Sequence, residues 1–354
     1  MKATLEEKIL DATEQLIQGR EFAREHTIEA EKNFVRRRKL SFVTTMEFVL
    51  GNTRESLELS SERLSETAGI GTVSAAALSK ARAKIDYSAF QAVFQKSASL
   101  MPVEETYDGY QVIAVDGMRG ELPNTPSLRT KYPVSKAMKY PQFHAIAAYD
   151  VLNNYFMAGD FAAAPGNEHQ MAADLLEDPI FCGGKRLFLF DRGFPSVALI
   201  QRLDGMGHKF VMRVSKHFLR EVNAFIDSGY IDRTIKITYQ PRRGATNRVK
   251  ADLPYDFTLR CVRIRFIDGT EEICITNLPR EQFPKRKIKQ LYGLRWEIET
   301  SYNYLKHAVF IEEFTSRKVN GIKQDFYASL WAANLANAAI RSAAPAVKKN
   351  ETDL

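Results

Sequence analysis

The sequence predicts an α/β protein built from three kinds of stretch. Residues 1–105 carry runs of Glu, Lys, Arg, Ala and Leu with few strand signals, which predicts a helical N-terminal region. From Val112 the pattern changes to short apolar runs that end in an acid or a turn residue, as buried strands do. Between residues 218 and 280 apolar and β-branched residues alternate with polar ones across turn signals, which predicts a β-rich insertion.

The elements follow in order. Ser74 to Lys84 reads as a helix with Thr72 or Ser74 as its N-cap. Its small residues allow close backbone approach, and Lys80, Arg82 and Lys84 can reach phosphate, as on the recognition helix of a helix-turn-helix-like unit. An ordinary packed helix with exposed basic residues fits the same pattern. Val112-Ile-Ala-Val-Asp116-Gly117 predicts a buried strand whose C-terminal end is an acid followed by a turn. Two further strands, Gln142–Tyr149 and Tyr155–Phe161, are joined by a turn at Asn153-Asn154.

A helix at Glu168–Glu177 comes next, then a strand from Arg186 that ends in Asp191. A helix at Ser196–Leu203 and a strand at Lys209–Val214 follow. Three meander strands and then alternating helix and strand are the order of the ribonuclease H-like fold, whose two aspartates come from neighbouring central strands and whose last acid comes from a helix. The stretch between Asp191 and Glu299 is longer than that fold needs. Tyr230–Tyr239 and Phe257–Asn277, with Ile264, Phe266, Ile273 and Ile275 and a turn at Asp268-Gly269, fill it with strands. The expected organisation is a helical DNA-binding domain at 1–105, a catalytic core at 106–217 and 281–340 interrupted by the insertion at 218–280, and a disordered tail at 341–354.

Tyr292, Arg295, Glu299 and Lys306 stand at offsets of three, seven and fourteen residues. At about 100° per residue they lie within about 60° of one another on one helix face. Leu291, Leu294, Ile298, Tyr302 and Leu305 form a separate apolar stripe, so the helix buries one side and presents the other. Trp296, on the same helix, is read as a packing residue. One acid among three donors suits a phosphate substrate, the carboxylate holding a divalent metal while the donors grip phosphate oxygens. The strand ends at Asp116 and Asp191 can place two more carboxylates side by side, where a cation such as Mg²⁺ relieves their repulsion. Asp116, Asp191 and Glu299 are therefore the candidate catalytic and metal-binding triad.

The spacing Y-x2-R-x3-E-x6-K resembles the signature of the cut-and-paste DDE transposases of the insertion sequence four family. Asp191-Arg192-Gly193-Phe194 resembles that family's Asp-Arg-Gly-aromatic motif. Asp116-Gly117 resembles its Asp-Gly-Ser/Thr motif, with Met118 in place of the hydroxyl residue. Family-like features also stand at Gly166-Asn167-Glu168, before a helix, and at Phe210-Val-Met-Arg213, a strand with a basic residue. The resemblance covers roughly residues 34 to 340. It implies an enzyme that binds the terminal inverted repeats of a mobile element, cuts the ends, through a DNA hairpin for the second strand, and joins them to target DNA. It further implies two Mg²⁺ ions, for which Mn²⁺ can substitute, and a homodimer when two ends are synapsed. Tyr292, Arg295 and Lys306 would hold phosphates near a flipped end nucleotide, with Arg213, Lys80, Arg82 and Lys84 as further DNA contacts. Two rival readings are a ribonuclease H-like metal-dependent nuclease that cleaves without joining and a non-catalytic DNA-binding descendant.

Composition agrees with an anionic partner. Fifty basic against 43 acidic residues in 354 give a net charge of +7. The basic residues gather at Arg36–Lys39, Arg242–Lys250 and Arg280–Lys289. Cys182, Cys261 and Cys274 are too few and too scattered for a zinc site or a disulfide framework and read as buried thiols. His144 and His307 read as packing or surface residues. The charged N-terminus has no signal-peptide core. The apolar run at Leu330–Ile340 contains Asn334 and Asn337 and so reads as a buried helix rather than a membrane span. A cytoplasmic location is expected.

Overall fold

The structure, a computed structural model, describes residues 3–51, 71–132, 139–164, 167–240, 255–266, 269–307 and 314–352, together with 62, 66, 69 and 134. The basic stretch at 242–250, Gly166, Asp268 and the side chain of Lys306 lie outside the described residues. The N-terminal stretch is helical, with α1 (Leu5–Gln18), α2 (Arg20–Glu25), α3 (Phe42–Leu50), α4 (Ala75–Arg82) and α5 (Ser88–Leu100). Ser74 caps α4 by accepting the Ala77 N–H at 3.2 Å.

The core then runs β1 (Gln111–Glu121), α6 (Pro126–Lys131), β2 (Gln142–Asp150), β3 (Tyr155–Ala163), α7 (Glu168–Leu175), β4 (Arg186–Phe190), α8 (Val197–Gly205) and β5 (Lys209–Val214). The insertion supplies α9 (Arg220–Asp227), β6 (Asp232–Tyr239), β7 (Tyr255–Arg265) and β8 (Glu271–Thr276). It is followed by α10 (Lys285–Leu294), α11 (Trp296–His307) and α12 (Val319–Thr352).

Among the described residues the strands join one eight-stranded sheet in the order β3-β2-β1-β4-β5-β8-β7-β6. β1, β2 and β3 form an antiparallel meander, whereas β1, β4 and β5 run parallel. The insertion extends this same sheet, because β8 pairs antiparallel with β5 and carries β7 and β6 beyond it. Asp116-Gly117 does not end its strand in a turn. β4 stops at Phe190, but β2 goes on pairing with β1 as far as Glu121 opposite Gln142.

Alternation along the strands divides the core into two layers. Val112, Ala114, Leu187, Leu189 and Val211 face α5, α10, α11 and α12. Ile113, Val115, Phe188, Phe190, Phe210 and Met212 face α7, α8 and α9. The N-terminal helices belong to the first layer: Ile17, Phe90 and Phe94 share a cluster with Phe326, Leu330 and Trp331 of α12. The boundary expected near residue 105 is therefore no break in the hydrophobic core. α12 also runs through most of the stretch expected to be a disordered tail, ending at Thr352. Asn334 is buried within it because its side chain pairs with both the N–H and the carbonyl of Phe156 on β3.

Cys261 and Cys274 are buried as expected, but Cys182 is exposed. Among the described residues no helix is long and apolar enough to cross a membrane.

Candidate active site

The parallel pairing of β1 with β4 sets Val115 opposite Phe190, so Asp116 and Asp191 are the next residues along two adjacent strands. Neighbouring strands lie about 4.8 Å apart. Both positions continue the phase of Ala114 and Leu189, which face α10 and α11. The third acid comes from that layer. Arg295 sits at the junction of the two helices with helical dihedrals, yet its N–H bonds to Tyr292 O rather than one residue further back. The single helix expected here is thus tightened for one turn, and such a turn eclipses residues three apart. It stacks Arg295 on the Tyr292 ring, with 5.7 Å from guanidinium to ring centroid.

Arg295 is the hub of the arrangement. It is only 2% exposed, and its Nη1 lies 2.8 Å from Glu299 Oε1 and 3.9 Å from Asp116 Oδ2. A buried guanidinium needs such anionic partners to offset its lost hydration. Its Nε has no hydrogen-bond partner among the described residues. The Tyr292 hydroxyl donates to Asp191 Oδ1 at 3.4 Å. Arg213 reaches the same oxygen at 3.7 Å and pairs with Glu272 at 2.8 Å. Trp296 is not a packing residue: it is 55% exposed and lies 5.1 Å from Arg295 as a face-on ring.

Electrostatics single out Asp116. Burial pushes its carboxyl up to about 6, against the pull of the Gly117 N–H and Arg295, and the Glu299 and Asp191 charges push it further. Both other acids therefore bear on Asp116. The Tyr302 hydroxyl, at the end of the apolar stripe, donates to the Asp116 backbone carbonyl at 2.6 Å and fixes that stretch of β1.

The structure brings Asp116, Asp191, Glu299, Tyr292, Arg295 and Arg213 together. It does not bring the N-terminal cations there. Lys80 and Lys84 line a separate groove of about 1010 Å³, shared with Lys32, Arg36, Arg38 and Lys39. Arg82 is a correction. It points inward, 6% exposed, and its guanidinium binds Gln324 Oε1 and Asp325 Oδ1, each at 2.6 Å, so no donor face is left for phosphate. Helical period explains why: Leu78, Ala81 and Arg82 form the buried side of α4.

Sequence reasoning missed Tyr302, whose ring fits the apolar stripe while its hydroxyl serves Asp116, and Glu272, which is an ordinary acid on an alternating strand. It also left His144 as a packing residue. His144 is wholly buried, with Nε2 3.1 Å from Glu168 Oε1. That contact, ahead of the Arg119 charge, holds the Glu168 carboxyl below its usual range despite burial.

Two acids thus lie where the parallel pairing of β1 with β4 stops, and a third stands on a covering helix. Residues 107–335 match the family described as Transposase DDE domain, and the chain belongs to it. Within that family the similarity runs to an insertion-sequence transposase, "Transposase InsG for insertion sequence element IS4" of Escherichia coli (strain K12). The two are 23% identical over 274 residues, covering 74% of this chain and 60% of that protein. The chain therefore matches 60% of the length of this relative. Among solved structures it resembles a piggyBac transposase in a synaptic complex with hairpin DNA, at 12% identity and a TM-score of 0.52. That match covers 95% of this chain and 76% of the other.

Proposed function

We propose that this protein is a metal-dependent DNA transposase that binds the terminal inverted repeats of a mobile element, cleaves its ends and joins them to target DNA. The observation that carries the proposal is that Arg295 contacts Asp116 and Glu299 while Tyr292, three residues before it, holds Asp191, all where the parallel pairing of β1 with β4 stops. A ribonuclease H-like core is supported by the order β3-β2-β1-β4-β5, antiparallel in its first three strands and parallel across β1, β4 and β5.

Mg²⁺ fits the donor set, which is all carboxylate oxygen, and fits the raised Asp116, whose crowding by two further acids a cation would relieve. Among the described residues no three such side chains close on a single point. Two ions shared among Asp116, Asp191 and Glu299 are the arrangement proposed. When bound, these ions would polarise the phosphate and favour deprotonation of the attacking water or 3′-hydroxyl. The chain's own groups then orient DNA. Arg295 and Tyr292, with Lys306 from α11, grip phosphates of a strained end, which suits the hairpin named in the piggyBac complex. Lys80 and Lys84, in their basic groove, track the duplex outside the site. Synapsis of two ends calls for a second copy of the chain.

A labelled repeat-containing duplex and a pre-cleaved end, each incubated with Mg²⁺ and target DNA, test the reading on denaturing gels. Nicked, hairpin and joined products are expected, with Arg295→Ala keeping nicks while losing hairpins. Cleavage without joining from the pre-cleaved end would make the protein a nuclease, and intact duplex throughout would leave only DNA binding.

A further inference from the structure

The glycines that follow the two aspartates have an unexplained feature in common. A Cβ added at Gly193 would stand 2.8 Å from Glu168 Oε2, and one at Gly117 would stand 3.6 Å from Glu168 Oε1 and 3.0 Å from His144 Nε2. At Gly193 a Cβ would crowd the Glu168 carboxylate itself, whereas at Gly117 it would crowd the His144 ring and only touch the carboxylate, so the carboxylate lies against both backbones. Glu168 opens α7, between the two aspartates in sequence. Its Oε1 accepts from Arg119 Nη2 at 3.2 Å, and the buried His144 Nε2 lies 3.1 Å from the same oxygen. Arg119 and His144 face each other across β1 and β2. The next residue, His169, sets its Nδ1 2.9 Å from the Phe194 carbonyl and, as the donor, ties α7 to the loop after Asp191 a second time.

Strand pairing cannot do this job. β4 ends at Phe190, so beyond Val115 opposite Phe190 no backbone ladder fixes the distance between the two acids. We propose that Glu168 is a positioning residue: clasped by His144 and Arg119, it spans Gly117 and Gly193 and sets the spacing at which Asp116 and Asp191 share cations. This rests on the metal-dependent reading above. Glu168 need not touch the ion, because outer partners of metal ligands alter affinity by orienting them.

The test measures Mn²⁺ binding to the full-length protein by electron paramagnetic resonance, with thermal unfolding and Mg²⁺-dependent cleavage beside it. Glu168→Ala is expected to weaken Mn²⁺ binding about tenfold and to raise the Mg²⁺ needed for half-maximal cleavage to a similar extent. Glu168→Gln, which keeps an acceptor for His144 and Arg119, is expected to stay within about threefold of wild type. Gly193→Ala should mimic Glu168→Ala by displacing the carboxylate, and the double variant should be no worse than either single one. If Glu168→Ala fails to fold, the Gly193→Ala and Glu168→Gln pair carries the same comparison. Wild-type Mn²⁺ binding in Gly193→Ala, or additive losses in the double variant, would overturn the role of Glu168 alone. Absence of Mn²⁺ binding by the wild-type protein would instead overturn the metal-dependent reading.

Discussion

Replacing Asp116, Asp191 or Glu299 by Ala is expected to lower cleavage of a repeat-containing duplex by about a thousandfold or more, with circular dichroism and end binding retained. Each change removes charge that must be neutralised during phosphoryl transfer. Full activity in any one variant would remove that residue from the site. Asp116 has a second, opposite effect. Its carboxyl is raised from 3.8 to about 6, so the native protein holds that proton more tightly than the unfolded chain does. The resulting stabilisation is present below the unfolded value and is lost as pH rises through 6. In metal-free buffer at pH 7.5, Asp116→Asn is therefore expected to be more stable than wild type, by up to about 3 kcal/mol. The gain should vanish near pH 4. Denaturant titrations at the two pH values measure it, and an equal difference at both would show that the carboxylate's charge is not its source.

α4 and the turn that follows it separate two roles among cations that look alike in sequence. Arg82→Ala leaves Asp325 buried without its partner and is expected to cost about 3–5 kcal/mol, read as a lower unfolding midpoint. Lys80→Ala and Lys84→Ala together should leave that midpoint unchanged and reduce the salt slope of DNA binding by about 2. A stability loss from the lysines, or none from Arg82, would reverse the assignment. The element between Tyr292 and Glu299 was legible because polar residues three and four apart share a helix face. The tight turn at Arg295 was not, since its cause is the pairing of a buried guanidinium with acids from β1 and from α11. Likewise Val112–Asp116 and Arg186–Asp191 announced themselves as apolar runs ending in acids. Whether a run stops at its acid depends on a neighbouring strand, and β2 carries β1 onward.

For the whole molecule, the order of strands and helices could be read from periodicity, but the partner of the N-terminal helices could not. Helical composition in residues 1–105 says nothing of what the helices pack against. They pack on α12: Trp331 Nε1 donates to Thr13 Oγ1 at 3.1 Å, and Asn320 and Gln324 both donate to the Ile85 carbonyl. A protein lacking residues 1–105 is therefore expected to be insoluble rather than a free-standing catalytic core. The intact chain should unfold in a single calorimetric transition. Two separated transitions, or a soluble truncated protein with native circular dichroism, would restore the two-domain division.

The same packing governs the order in which the protein can form as it is synthesised. About 220 residues separate the end of α5 from the start of α12, and a ribosome adding roughly 5–20 residues per second needs on the order of 10 to 40 seconds to bridge them. Through that interval Phe90, Phe94 and Ile17 lack the helix that covers them in the native state. Chains interrupted before α12 would carry those side chains uncovered, so they are the products that chaperones and proteases meet first, while a finished chain closes both layers of the sheet together.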